Sequence, residues 1–240
     1  MRNYLFLFCV ILILFGTYTG NPGSSASTKV TNLVAIGDSI THGVGDPEKK
    51  GYIEGVKVKL EEIKKAPVHV SNFAVPRYTT DNILEQLQDK KMNLQLKKAE
   101  YIILFIGTND FRKSAQHQFN PLNSKLINEG KVKFTTNLHK ILEHLRIENS
   151  AAPIFVLGLY QPYVNYPNHQ QILRTIERWN DKIAIVANNF DHVYFVPTLD
   201  LFQNRTKSNY FSDSLHPNPA GYQLIAERVS DKVLKELSIK

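Results

Sequence analysis

Five short apolar runs punctuate the chain, at residues 33–36, 68–75, 101–106, 154–159 and 193–196. Most are continuous rather than alternating, the pattern of parallel strands covered on both faces. Between them, apolar residues recur at helical spacing. Ile83, Leu84, Leu87 and Leu94 mark one such segment; Leu138, Ile141, Leu142 and Leu145 mark a second. Ile172, Leu173, Ile176, Trp179, Ile183 and Val186 mark a third. Thr80-Asp81 reads as the cap and acidic opening turn of the first of these. A last helix starts near Pro219, a residue favoured in a first turn, and carries Leu224, Ile225, Val229, Val233 and Leu234. Strands alternating with helices through short links predict a five-stranded parallel sheet between two helical layers, a three-layer α/β/α sandwich. Sheets of this kind bind ligands at the carboxyl ends of their strands, so the functional groups are expected among the polar residues after each run.

Composition narrows the picture. The 240 residues include 29 Lys+Arg against 22 Asp+Glu, a formal charge of +7, and 42% are apolar. That length and apolar content suit one globular domain and exclude disorder. A single cysteine excludes a disulfide scaffold and a Cys-based zinc site. No Lys/Arg run exceeds two residues, so the excess charge predicts a solvated basic surface and no nucleic-acid partner.

The N-terminus carries its own signal. Met1-Arg2-Asn3 is a short positive region, followed by an uncharged apolar run over residues 4–15 and then Gly16-Thr17-Tyr18-Thr19-Gly20. The run has the length of a signal-peptide core and falls short of the roughly 20 residues that cross a bilayer. Residues 1–26 are therefore expected to be a signal peptide or an N-terminal membrane anchor, with small residues for cleavage at Ser24 and Ala26 or around Thr19. Residues 27–31 are expected as linker, within a stretch rich in Gly, Ser and Thr, and 32–240 as the folded domain. Cys9, with Phe8 before it, reads as hydrophobic filler. A chain whose one cysteine lies in this segment suits an oxidising exterior. The expected location is outside the cell, either secreted or anchored on the extracellular membrane face.

The residues at the strand ends carry chemistry. Gly37-Asp38-Ser39-Ile40-Thr41-His42-Gly43 follows the first strand, Asn72 and Arg77 the second, and Gly107-Thr108-Asn109-Asp110 the third. Asp213-Ser214-Leu215-His216-Pro217 precedes the last helix. Serine is a weak nucleophile unless a base removes its proton, and His216 is the candidate base for Ser39. Asp213 can accept the other imidazole N–H, fixing the tautomer and stabilising the imidazolium. Attack on an ester creates an oxyanion, for which Asn109 offers a side-chain donor and Ser39 its backbone N–H at a helix start.

These segments resemble the SGNH (GDSL-type) hydrolases. Gly37-Asp38-Ser39 resembles the block with the nucleophile, and Asn72-Phe73-Ala74-Val75-Pro76-Arg77-Tyr78-Thr79-Thr80 is similar to the second block. Gly107-Thr108-Asn109-Asp110 is similar to the third, and Asp213-Ser214-Leu215-His216 to the final Asp-x-x-His block. The likeness runs through about residues 33–235 and is nearest to exported members from Gram-positive bacteria, which share the surroundings Gly-Val-Gly-Asp at 43–46 and Leu-Gly-Leu-Tyr at 157–160. It implies a flavodoxin-like fold and a serine esterase or lipase-like hydrolase with no metal and no organic cofactor. It further implies Ser39, Asp213 and His216 as catalytic residues, and Ser39, Arg77 and Asn109 as the oxyanion hole. The second block usually ends in glycine, whose backbone N–H is an oxyanion donor; here Arg77 stands there, keeping the N–H and adding a side chain that crowds the site or attracts an anion.

Plainer readings compete. Alone, Ser39 is a favoured helix cap, Asn109 a turn residue and Asp213–His216 a surface pair. Four blocks in one order favour the enzyme, whereas Gly-Asp-Ser alone would not. His42 is a rival base, set one turn beyond Ser39 on the same short helix. The other histidines, His117 among them, are expected to be ordinary exposed residues. The aromatic run at 160–167 either shapes a pocket or is a plain loop, and pocket walls are expected from loops such as 111–130 and 160–170. The expected substrate is a small-molecule, lipid or glycan ester, with membrane or cell-envelope association compatible with the N-terminus; oligomeric state is not legible. The alternative is a catalytically weak surface protein that binds envelope glycans or lipids through the same cleft. A flavodoxin-type nucleotide binder would need a phosphate-cradling Gly-rich loop after the first strand, and none follows it.

Overall fold

The computed structural model describes residues 29–237. The expected signal or anchor segment, 1–26, and the start of the 27–31 linker lie outside the described residues. Five strands form: β1 (Thr31–Gly37), β2 (Val68–Asn72), β3 (Tyr101–Phe105), β4 (Ile154–Leu157) and β5 (Val193–Val196). All pair in parallel, in the order β2-β1-β3-β4-β5. The helices are α1 (Ser39–His42), α2 (Gly51–Lys64), α3 (Thr80–Gln86), α4 (Lys90–Lys98), α5 (Thr108–Ser114), α6 (Ser124–Glu148), α7 (His169–Ala187) and α8 (Pro219–Leu237). On one face of the sheet α2 packs on α8; on the other, α6 gathers α3, α4, α5 and α7. The α/β/α sandwich expected from the alternating pattern is the fold.

Differences from the sequence reading have local causes. The run at 68–75 leaves the sheet after Asn72 because β2 is an edge strand, half exposed along its length. Its backbone nevertheless stays on β1, with the Phe73 and Val75 N–H groups donating to the Ala35 and Gly37 carbonyls at 2.8 and 3.1 Å. The segment from Ile83 to Leu94 is two helices rather than one. Asp89 restarts the chain as α4 by accepting the Lys91 N–H at 2.7 Å, so Met92 and Leu96 are buried while Leu94 is exposed. The cap of α3 is Thr79, not Thr80; its N–H and hydroxyl both donate to Asn82 Oδ1. Helix α2, which buries Tyr52, Ile53, Val56 and Leu60, lies outside the predicted segments.

Trp179 sits in the core, fully buried, stacked on Phe134 at 5.1 Å and edge-on to Phe111 at 5.4 Å. Truncating an aromatic side chain in such a position costs about 3–5 kcal/mol. This core fixes what matters for function. From β1 the chain goes outward to β2 and then returns across β1 to β3, so a crevice opens at the carboxyl ends of β1 and β3. Ser39 lies just beyond β1, and Asn109 just beyond β3.

Candidate active site

The Ser39 end is built by a very short helix. Asp38 caps α1, its Oδ1 accepting the Ile40 N–H at 3.0 Å, and Gly43 closes the helix in the left-handed region. Ser39 is the first helical residue and only 7% exposed. The Asn72 side chain ties this helix to the next loop, donating to the Thr41 carbonyl and accepting the Ala74 N–H, each at 3.0 Å.

The imidazole arrives from the loop before α8. His216 Nε2 lies 2.9 Å from Ser39 Oγ, and His216 Nδ1 lies 2.7 Å from Asp213 Oδ2. The other carboxylate oxygen, Asp213 Oδ1, accepts the Leu215 and His216 N–H groups, both at 2.7 Å. Partial burial alone would raise the Asp213 pKa, but the imidazole and these two N–H groups together hold it below the usual carboxylate value. The loop is strapped from several sides. The Tyr160 hydroxyl donates to the Leu215 carbonyl at 2.8 Å, and Lys207 Nζ donates to the Ser214 carbonyl at 2.7 Å and to the Pro162 carbonyl. Gly45 makes the approach of the two segments sterically feasible. At φ +98°, a Cβ there would lie 2.4 Å from the Pro217 carbonyl oxygen and 3.0 Å from His216 Cβ.

Asn109, in the first turn of α5, donates from Nδ2 to the Tyr78 carbonyl at 2.9 Å and to Asp38 Oδ2 at a longer 3.3 Å. Its neighbour Asp110 accepts the Thr80 N–H and hydroxyl, locking the third block onto the second. Among the described residues, no acceptor takes the Ser39 or Arg77 N–H. Arg77 has φ +72°, a region that favours glycine. The backbone therefore keeps the conformation that a glycine would adopt, and the arginine bears the strain. Arg77→Gly is expected to stabilise the fold by about 1 kcal/mol, raising Tm by about 2–4 °C, whereas Arg77→Ala brings no such gain. Thermal melts of the two variants check this.

Asp38 is the unusual titratable group. Burial pushes its carboxyl up to about 7, against the Ile40 N–H that favours the carboxylate, and the charge of Asp110 adds to the rise. A carboxyl whose folded pKa is raised contributes stability that is complete below its unfolded pKa and is lost as pH rises through the folded one. Stability should therefore fall by about 2 kcal/mol from this group between about pH 5 and pH 8. In Asp38→Asn that part of the slope should vanish, as measured by urea unfolding of both proteins at the two pH values.

The structure thus brings Ser39, His216, Asp213, Asn109 and Arg77 to one rim. His42 does not join them; its Nδ1 lies 3.2 Å from the Ala74 carbonyl. The loop after β4 does not line the cavity beside Ser39. Tyr160 and Tyr163 are buried, and Tyr163 stacks on Phe119 at 4.2 Å. A cavity of about 530 Å³ opens instead between the catalytic loop, the Pro76–Arg77 turn and the end of α5. Of the wall segments expected from sequence, 111–130 contributes Arg112, Lys113 and His117, none of them singled out there, and Lys207 was not foreseen as a strap. The one usable signal was the placement of 112–117 directly after a strand-end block. Among the described residues, no cluster of three or more His, Cys, Asp or Glu is arranged to hold a metal.

A parallel sandwich with a hydrogen-bonded Ser–His–Asp chain at its switch point is the architecture of a serine ester hydrolase. The chain belongs to the GDSL-like lipase/acylhydrolase family, whose model matches residues 35–224. It is 33% identical over 208 residues to the uncharacterized protein YpmR of Bacillus subtilis, covering 85% of this chain and 82% of that one. It is 25% identical over 197 residues to the spore germination lipase LipC of Bacillus licheniformis, covering 81% and 92%. The crystal structure of the lipase Lip_vut3 from a goat rumen metagenome superposes with a TM-score of 0.75 at 24% identity, over 84% of this chain and 96% of that one.

Proposed function

We propose that this protein is an exported esterase that cleaves small carboxylic esters through an acyl-enzyme on Ser39. The carrying observation is the continuous hydrogen-bonded path from Ser39 Oγ through His216 to Asp213, at 2.9 and 2.7 Å. Ser39 Oγ attacks the carbonyl carbon while His216 Nε2 takes the hydroxyl proton. Asp213, held as a carboxylate, keeps Nδ1 protonated and stabilises the imidazolium. The Ser39 and Arg77 N–H groups and Asn109 Nδ2 receive the oxyanion; the Asn109 N–H leaves its long contact with Asp38 to do so. Collapse breaks the ester C–O bond, and His216 returns the proton to the departing alkoxide. Water, deprotonated by His216, then attacks the acyl group and releases the carboxylic acid, with the proton going back to Ser39 Oγ.

Export is part of the proposal on the strength of the N-terminal sequence, with the positive Met1-Arg2-Asn3 followed by the apolar stretch at 4–15. A fluorophosphonate probe tests the enzymatic reading directly. It is expected to modify Ser39 covalently, as located by peptide mass spectrometry, because only an activated serine hydroxyl reacts. A folded protein whose Ser39 stays unmodified would favour the glycan- or lipid-binding alternative.

A further inference from the structure

We infer that the cavity beside Ser39 contains a subsite for a phosphate group, so that the preferred substrates are acyl esters of phosphorylated alcohols. This rests on the esterase reading and names its substrate class. Arg77, Arg112, Lys113 and His117 form one wall of the cavity, and the one carboxylate in its lining is Asp213. That carboxylate is already engaged by His216 and two backbone N–H groups. Several cations elsewhere sit beside acids, such as Arg228 on Asp200 at 2.6 Å, Lys133 on Asp81 at 2.6 Å and Lys232 on Glu236 at 2.7 Å. Among the described residues, none of the ion pairs includes Arg77, Arg112 or Lys113. Arg112 is half-buried, so its charge is partly removed from water without a protein counterion. An anion in the cavity would supply that counterion.

The wall is shaped by the backbone as well as by composition. Arg112 and Lys113 come from the last turns of α5, and Gln116 and His117 then adopt φ of +51° and +59°, folding the chain back so that His117 returns to the cavity. The His117 N–H closes this turn on the Arg112 carbonyl at 2.9 Å. Two successive non-glycine residues in the left-handed region carry a cost of about 1–2 kcal/mol each, and such strain clusters at ligand-binding segments. Two guanidinium forks and an ammonium, drawn from two separate segments, match a group with several equivalent anionic oxygens. Phosphate has them, and a lone carboxylate has only two. Three of the twelve lining residues, Val44, Pro76 and Leu215, are apolar and leave room for the acyl and alcohol carbons beside this wall.

The test compares kcat/KM for 1-butyryl-glycerol and 1-butyryl-glycerol 3-phosphate, with the methyl phosphodiester of the latter as a third substrate. The wild-type protein should prefer a phosphorylated ester by about tenfold at low ionic strength, and 0.5 M NaCl should cut that preference severalfold. A preference for the monoester points to a terminal phosphate, and an equal or greater preference for the diester to a chain-linked one. In the double variant Arg112→Gln/Lys113→Gln the ratio of phosphorylated to neutral ester should fall to within about twofold of one. Wild-type cleavage of the neutral ester with no phosphate preference, or a preference indifferent to salt, overturns the subsite and leaves the esterase standing. Failure to cleave any of the three esters, with Ser39 inert to the fluorophosphonate, overturns the esterase reading itself.

Discussion

Exchanging Ser39 for alanine should lower kcat/KM for a soluble ester such as p-nitrophenyl butyrate by on the order of 10⁵-fold. The substitution removes one oxygen from a side chain that is only 7% exposed and leaves the backbone N–H in place. Folding is therefore preserved, and the loss reports on the nucleophile. What survives is the contribution of the oxyanion donors, which stabilise charge on the carbonyl oxygen even when water must attack unaided. Purified Ser39→Ala with a wild-type melting temperature and a rate within tenfold of wild type would falsify the acyl-enzyme mechanism. Loss of the fluorophosphonate adduct in the same preparation would tie the two measurements to one oxygen atom.

The second large effect is expected from Asp213→Asn, at about 10⁴-fold in kcat. The loop geometry sets the size of this effect. Asp213 Oδ1 accepts the N–H groups of Leu215 and His216, so an asparagine at 213 must place its amide oxygen there to keep both bonds. Its NH₂ is then turned toward His216 Nδ1, where Asp213 Oδ2 now accepts. That donor forces Nδ1 to be the acceptor and puts the imidazole proton on Nε2, facing Ser39. A protonated Nε2 cannot take the hydroxyl proton. The fold stays intact while the base holds the wrong tautomer, so unfolding and activity should separate cleanly. Kinetics paired with thermal melts check it; an Asp213→Asn protein retaining more than a tenth of wild-type kcat would remove Asp213 from the relay.

Much of this architecture was legible in the chain because buried parallel strands have to be continuously apolar. The run at 193–196 coincides with β5, and β3 and β4 are buried at every position. The runs that strayed did so where burial is one-sided, as in β2 at the sheet edge, or where a polar residue outcompeted helical periodicity, as Asp89 does. The site was legible in part because its groups sit in short blocks at strand ends. Of the cavity wall only the segment 111–130 was legible, and not which of its side chains line it. Nothing in the spacing of Arg112, Lys113 and His117 says which way α5 faces, and the left-handed turn at Gln116 and His117 is uncommon for non-glycine residues. Arg77 is the reverse case. The second block usually ends in glycine, and the arginine that stands there nevertheless keeps a left-handed backbone.

The order of apolar and polar residues was enough to settle a layered α/β protein with its reactive groups beyond the strand ends, since local burial and hydrogen bonding act over a few residues at a time. It could name the serine, the histidine and the aspartate, but not the distance between them. Contacts spanning 177 positions, such as that between Ser39 and His216, exist only because α8 packs on α2 and Gly45 admits the loop that carries the imidazole. The charge of the cavity likewise arises from α5 and the Pro76–Arg77 turn meeting across a gap, a matter of three-dimensional packing that no one-dimensional pattern encodes.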